Sequence, residues 1–485
     1  MVQVTGVSPP VHLRSFNNDI NTLERAVKER VFFVKEKGTF TSPPRPENGH
    51  FERTLRGVFN LFGKHLPKTA PLSRQQFVDS FRGRKRGVYQ QAADSLLRTN
   101  LSVRDAHLKV FVKFEKTDFT RKTDPVPRVI SPRSPRYNVE VGRYLRPLEE
   151  RIFRSISDLF GHRTVIKGMN SSASGKCLFE KWSVFKKPVA IGLDASRFDQ
   201  HVSLDALKFE HSVYLACFPR LKHKRQLSGL LRMQLLNHCT GYVPDGRVKY
   251  TVEGKRMSGD MNTSLGNCIL MCLMVRAYAE SCGVRLHLAN NGDDCVVFME
   301  QRDLGKFNAG LDSWFRAMGF NMAVEPPCYD FEAIEFCQTH PVWVGPDHDD
   351  YIMVRHPKWA ISKDTMCIKS IDSEKMFLGW LHAVGTGGMA GAGQIPVFQE
   401  FYRTYIMSGK FYAKAEDSQS WGVRALAKGM TRVYGPISAL TRASFYWAFG
   451  VTPDEQLCLE EFYGSVALDS VFRQGPVEYQ IPMPL

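Results

Sequence analysis

The stretch Asn290-Asn291-Gly292-Asp293-Asp294 constrains this chain more than any other. Val284-Arg285-Leu286-His287-Leu288-Ala289 precedes it and Cys295-Val296-Val297-Phe298 follows, two short β-prone runs around an Asn/Gly/Asp turn. That pattern predicts a tight hairpin. Its tip carries two adjacent carboxylates, which repel each other and are costly to desolvate unless a cation neutralises them. A Gly-Asp-Asp turn alone also fits a solvated hairpin tip. Other parts of the chain must decide.

At 485 residues the chain can bury a large core, as one multi-lobed domain or a few subdomains. Hydrophobic residues at 43% and charged residues at 24% argue against general disorder. A net charge of +16 implies a polyanionic partner, nucleic acid before membrane, with solubility as the plainer alternative. The eleven cysteines are odd in number and form no Cys-x-x-Cys pair. Buried free thiols in a reducing compartment are expected, without structural zinc. The N-terminus lacks a signal-peptide pattern, and the longest apolar run, Cys268 to Val275, is too short to span a bilayer. Membrane association is therefore expected through a partner or an upstream segment.

Near the start, Leu23, Val27, Val31 and Val34 fall near helical spacing and predict one amphipathic helix. The cluster Arg82, Arg84, Lys85 and Arg86 fits RNA binding, a nuclear signal or a solvated face. From Leu108 to Arg154, Lys109, Lys113, Lys116, Arg121, Lys122, Arg128, Arg133 and Arg136 punctuate short β-prone runs and prolines. Prolines favour extended backbone here, giving a rigid basic surface suited to phosphates. Pro188 to Leu193 reads as a buried strand ending at Asp194, with a helix starting from a Ser203 cap. A hairpin over Val248–Val252, turning at Glu253-Gly254, leads to a Ser258-Gly259 loop. A helix from about Asn262 to Glu280 is stopped by Gly283. Asp303 to Met318 reads as one amphipathic helix, and Asn321–Val324, Ile334–Cys337, Val342–Val344 and Tyr351–Val354 as strands. The last third reads as mainly helical, with Gly385 to Gly393 either a flexible loop or a close helix contact.

Asp194 at a strand end and Asp293-Asp294 on a hairpin of the same sheet form a candidate two-metal site. Two Mg²⁺ ions about 3.5–4 Å apart would activate an attacking hydroxyl and stabilise a leaving pyrophosphate. Polymerases and nucleases share that chemistry. Between these carboxylates lies Ser258-Gly259-x3-Thr263-x3-Asn267. Thr263 and Asn267, four apart, share a helix face that can hydrogen-bond a ribose, with Asp199 orienting the network. A capped helix with a polar solvent side is the alternative.

Taken in order, Asp194-x4-Asp199, Ser258-Gly259-x3-Thr263-x3-Asn267 and Gly292-Asp293-Asp294 resemble palm motifs A, B and C of viral RNA-dependent RNA polymerases. Lys113-Phe114-Glu115-Lys116 and Pro127-Arg128 through Tyr137-Asn138 resemble the basic fingers motif F of tombusvirus-like plant viruses. Gly319-Phe320 through Pro327 resembles motif D, and Glu335-Phe336-Cys337-Gln338 motif E. The resemblance implies an α+β right-hand polymerase with fingers, a palm (antiparallel sheet flanked by helices) and a mainly helical thumb. The boundaries expected are an N-terminal adaptor and fingers extension over 1–100, basic fingers over 101–187 and palm over 188–205. A fingers insertion over 206–255, palm over 256–345 and thumb over 346–485 complete them.

The same resemblance implies roles. Asp194, Asp293 and Asp294 would bind Mg²⁺, with Mn²⁺ able to substitute. Asp199, Ser258, Thr263 and Asn267 would meet the incoming ribonucleotide. Lys113, Lys116 and Arg128 would hold its triphosphate, and Arg133 and Arg136 would contact RNA. It implies a single-stranded RNA template, nascent RNA, NTPs and a viral membrane-anchoring replication protein as partners, in a membrane-associated complex in the host cytoplasm. One departure stands out: Asn321-Met322-Ala323-Val324 lacks the lysine that motif D often carries. A reverse transcriptase would share the palm but usually has Tyr-x-Asp-Asp at the turn. A non-catalytic RNA-binding protein would leave the separated carboxylates unexplained.

Overall fold

Pro188-Val189-Ala190-Ile191-Gly192-Leu193 has no polar side chain to turn outward, so as a strand it must be covered on both faces. The computed structural model places it at the centre of a sheet. It describes residues 2–4, 7–8, 11, 13–120, 124–345, 350–368, 371–412, 427, 429–468 and 481–482. Arg121 and Lys122 lie outside the described residues.

The elements that position the site, in chain order, begin with α1 (Ile20–Val27), β1 (Leu108–Val112), β2 (Val129–Ile130), α2 (Pro135–Leu145) and β3 (Pro188–Ala195). Then come α3 (Leu204–Ala216), β4 (Leu236–Val243), β5 (Gly246–Glu253), α4 (Thr263–Cys282), β6 (Leu286–Asn290) and β7 (Asp294–Glu300). The last are β8 (Met322–Val324), β9 (Thr339–Gly345), β10 (Asp350–Arg355), α5 (Glu374–Ala392) and α6 (Phe398–Ser408).

The central sheet runs β6-β7-β3-β8, with every neighbouring pair antiparallel. Val189, Ile191, Leu193 and Ala195 point to a large core shared with α4. Ala190, Val296 and Phe298 point the other way, onto Leu178, Phe331 and Phe336. Helix α4 is buried without a break from Leu265 to Val275, as expected of a helix that is apolar all round. Each such Leu, Ile or Met contributes roughly 1.5–3 kcal/mol. The helix ends where Gly283 takes φ 59°, a left-handed cap that suits glycine.

A second sheet runs β5-β4-β1-β2. Burial alternates along β1, with Leu108, Val110 and Val112 inward and Lys109 and Phe111 outward. Leu23, Ala26 and Val27 of α1 pack against it. The C-terminal part pairs β9 with β10 and then packs α5 on α6 around Phe377, Trp380, Tyr402 and Tyr405. Among the described residues, no helix is long and apolar enough to cross a membrane.

Several sequence expectations are corrected. The first helix stops at Val27, continues as a π-helical stretch Lys28–Phe32 and gives way to a strand at Val34–Glu36. The run Val31-Phe32-Phe33-Val34 is β-branched and aromatic and favours extended chain; Val31 and Val34 are nonetheless buried. The hairpin before the Ser258 loop turns between Val243 and Gly246, not at Glu253-Gly254, which is where β5 exits. Ile334–Cys337 is no strand. Cys337 and Gln338, at φ 53° and 63°, form a two-residue turn bridging Phe336 and Thr339. The helix expected over Asp303–Met318 breaks near Gly310 into Leu304–Asn308 and Leu311–Ala317. The Gly385–Gly393 run is a close helix contact, not a loop: α5 continues through it to Ala392.

Candidate active site

The hairpin tip is built by its own residues. Asn290, fully buried, donates from Nδ2 to the Gly292 carbonyl at 2.7 Å and accepts the Gly292 N–H at 3.1 Å. Gly292 takes φ 105°, which an L side chain rarely adopts. The Asn291 N–H closes the turn on the Asp294 carbonyl at 2.9 Å. What remains for Asp293 and Asp294 is exposure at the tip.

Register then does the rest. Asp294 pairs directly with Asp194 across β7 and β3, so both side chains leave the same face of the sheet. Directly opposed like charges destabilise a sheet, so the pair needs a reason to exist. Protein crowding raises the Asp294 carboxyl above the usual range, and Asp293 and Asp194 raise it further. The Cys337 thiol hydrogen-bonds that carboxylate, and Asn291 Nδ2 donates to the Cys337 sulfur at 3.1 Å.

Asp199 lies one turn beyond β3 and accepts from Asn267 Nδ2 at 3.0 Å. Burial pushes its carboxyl up to about 6, against the pull of the Asn267 hydrogen bond and the Arg256 charge. The turn between Asp194 and Asp199 is held by Arg197, left-handed at φ 52°. Its guanidinium donates to the Glu29 carbonyl at 2.5 Å, and Gln200 Nε2 donates to the Phe33 carbonyl at 2.8 Å. The segment Glu29–Pro46 continues along the central sheet, with Glu36 paired to Arg316 at 3.1 Å and Pro46 pressed against Gly319.

The loop before α4 is clamped to β2 and the residues after it. Ser258 Oγ donates to the Val129 carbonyl at 2.9 Å, and Pro132 bridges Gly259. A Cβ on Gly259 would sit 2.6 Å from Pro132 Cα. Thr263 Oγ1 donates to the Met257 carbonyl at 2.7 Å.

The basic residues divide. Lys113 and Arg128 share Glu115, at 2.6 and 3.5 Å, and the Arg128 charge reaches Asp199. Lys116 is instead half-buried, its amine donating to the Lys363 carbonyl. Arg133 is buried in an ion pair with Asp260 at 2.5 Å and also donates to Asn237 and Ala106. Arg136 turns to Asp105, Ser95 and the Thr99 carbonyl. Those three guanidinium and ammonium groups have protein partners rather than an open face.

Sequence reasoning missed three contributors. Arg30 lies close enough to Arg197 and Arg128 that burial and like charge drop its pKa to about 10. Cys337, expected in a strand and in the stretch resembling motif E, was given no part in the acidic site. Glu210 and Arg256 form a fully buried ion pair beside Asn267. A glutamate in mid-helix reads as solvated surface, so only the loop position of Arg256, two residues before Ser258, carried any signal.

Fold and site together define an antiparallel sheet that brings Asp194 and Asp294 together at the ends of its two central strands, with the Arg128 charge reaching the neighbouring Asp199. The comparisons give that class its family. Residues 1–471 match the viral RNA-dependent RNA polymerase family, and the chain belongs to it. It is 55% identical to the RNA-directed RNA polymerase of Oat chlorotic stunt virus over 488 residues, 97% of this chain and 64% of the relative. For the corresponding proteins of Tobacco necrosis virus strain A and Carnation mottle virus, identity is 45% and 41%, covering 97% and 96% of this chain and 64% and 60% of each relative. The chain thus spans less than two thirds of the length of these relatives, which are proteins of Tombusviridae plant viruses.

Proposed function

We propose that this chain carries template-directed RNA synthesis for a positive-strand RNA plant virus, able to start without a primer. The 3′-oxygen of the growing strand bonds to the α-phosphorus of an NTP, the α–β phosphoanhydride breaks, and pyrophosphate leaves. The observation that carries this reading is the direct pairing of Asp194 with Asp294, with Asp293 beside them at the tip.

The donor set fits a hard cation: three carboxylates, with Asp294 raised first by burial and then by the charges of Asp293 and Asp194. Among the described residues no three His, Cys, Asp or Glu side chains already converge on one point. Mg²⁺ does not need them to, because it takes one or two carboxylates and fills its shell with water and substrate phosphates. When bound there, Mg²⁺, or Mn²⁺ in its place, would neutralise phosphate charge and make the 3′-hydroxyl a better nucleophile.

The protein's own residues align the reactants. Asp194 and Asp293 hold the reacting centre, and Asp294 supports it from the facing strand. Asp199 and Asn267 meet the ribose 2′-hydroxyl, with Ser258 and Thr263 fixing the loop that brings α4 to it. Lys113 and Arg128 hold the triphosphate. Lys116, Arg133 and Arg136 act within the fold: Arg133 ties the basic segment to Asp260 of the Ser258 loop. In the right-hand description, residues before 188 and within 206–255 are fingers, 188–205 and 256–345 palm, and 346–485 thumb. A viral membrane-anchoring partner, or sequence beyond this chain, would bring the enzyme to host cytoplasmic membranes.

The test is labelled-nucleotide incorporation on single-stranded RNA with Mg²⁺, with and without primer. Asp293→Asn should abolish incorporation while RNA binding by filter retention stays within about twofold, because a rim carboxylate adds little to phosphate attraction. Substantial synthesis by Asp293→Asn would sink the assignment.

A further inference from the structure

We propose that the buried Glu210–Arg256 ion pair positions the Asn267–Asp199 couple, so that Glu210 and Arg256 help set ribose-over-deoxyribose discrimination without touching the nucleotide. The inference rests on the sugar-selecting role given to Asp199 and Asn267 above.

The geometry is directional. Arg256 places its two terminal nitrogens on the two oxygens of Glu210, and both side chains are fully buried. Its third nitrogen, Nε, donates to Asn267 Oδ1 at 3.1 Å. That contact decides which way the Asn267 amide faces. With its oxygen taken by Arg256, the NH₂ group must point at Asp199, as it does. Asp199 then has one oxygen held and a second to offer a 2′-hydroxyl. A flipped amide would aim oxygen at carboxylate and repel it.

Glu210 is itself fixed from several elements. It accepts from Tyr214 Oη and from Asn262 Nδ2, both at 2.7 Å, and the Asn262 oxygen accepts from Gln234 Nε2 at 3.0 Å. Helix α4 makes room for the pair: a Cβ on Gly266 would lie 2.4 Å from both Arg256 Nη2 and Glu210 Oε1. Buried ion pairs seldom outperform apolar packing for stability alone, so this one calls for a role that apolar residues could not fill. Orienting an amide is such a role. Only a guanidinium can serve it, because an ammonium cannot span Glu210 and Asn267 in a fixed fork.

Single-nucleotide incorporation is measured for an rNTP, its 2′-deoxy analogue and its 3′-deoxy analogue, in wild type, Asn267→Ala, Glu210→Gln and Arg256→Lys. Ratios of kcat/KM within one preparation cancel the active fraction, so partial loss of folded protein does not distort them. Glu210→Gln and Arg256→Lys should each cut the preference for rNTP over 2′-dNTP about tenfold, the scale of one misaligned hydrogen bond to a charged group. The change should appear in the KM for rNTP, and the rNTP to 3′-dNTP ratio should stay. If Asn267→Ala cuts the 2′ preference and the other two do not, the positioning role falls and the sugar-selecting reading stands. If Asn267→Ala leaves it unchanged, the sugar-selecting reading falls and takes the inference with it. A uniform loss with both ratios intact would mark the pair as merely structural and overturn the proposal.

Discussion

At the scale of single residues, Asp199 is where stability and selectivity pull apart. Burial, opposed by Asn267 and Arg256, lifts its carboxyl from 3.8 to about 6. A folded-state pKa above the unfolded value means that the native protein holds this proton more tightly. The stability so gained is complete below the unfolded pKa and is lost as pH rises through about 6. At neutral pH the ionised carboxylate therefore costs the protein roughly 2–3 kcal/mol. Asp199→Asn should raise the melting temperature at pH 7.5 by several degrees, with the gain shrinking toward pH 5. A pH-independent difference between the two proteins would remove the burial account. The acidic residues were legible in the sequence because adjacent and strand-terminal carboxylates are conspicuous. Glu210 was not, because nothing local distinguishes a buried helical glutamate from a solvated one. The partners of Arg133 and Arg136 were hidden for the same reason: spacing shows that guanidinium groups are present but not which carboxylates reach them.

Elements are decided by packing as much as by propensity. The Gly385–Gly393 run looked as much like a loop as a helix, yet α5 passes through it because bare backbone lets α6 approach. A Cβ on Gly388 would lie 2.2 Å from Tyr402 Cδ1, and the Tyr402 hydroxyl is anchored to Asp364 at 2.8 Å and Arg355 at 2.6 Å. Gly388→Ala should therefore destabilise the C-terminal part by about 1–3 kcal/mol through overpacking, despite alanine's better helix propensity. Gly57→Ala is the contrast. It lies within the helix His50–His65 with nothing within 4 Å of its Cβ, and should stabilise by up to about 1 kcal/mol. Thermal melts of the two variants should move in opposite directions. The strand order of the central sheet follows the same logic: continuous apolar runs and the Asn-Gly-Asp-Asp turn were readable, whereas the Asp194–Asp294 register was not. Register depends on which side chains of two distant segments share a core face, and no local pattern specifies that.

For the whole molecule, the excess of sixteen positive charges bears on association more than on fold. If the basic surface binds RNA through phosphates, the logarithm of affinity should fall linearly with the logarithm of salt concentration, with a slope steeper than about −3. A nearly flat plot from a titration over 50–300 mM salt would count against phosphate contacts as the source of binding. The segment Glu29–Pro46 has a consequence of another kind, in the timing of synthesis. Glu36 waits for Arg316, 280 residues later, and the Glu29 carbonyl waits for Arg197, 168 residues later. At about 5–20 residues per second the ribosome takes roughly 15–60 s to supply the later partner. Throughout that interval Val31-Phe32-Phe33-Val34 has emerged without the surfaces that cover it, an apolar, β-prone window open to wrong pairings. The turn between Asp194 and Asp199 is also unbraced until Glu29 and Phe33 fold back onto it. Nascent chains cut short before the central sheet is complete should therefore be captured by chaperones through this segment.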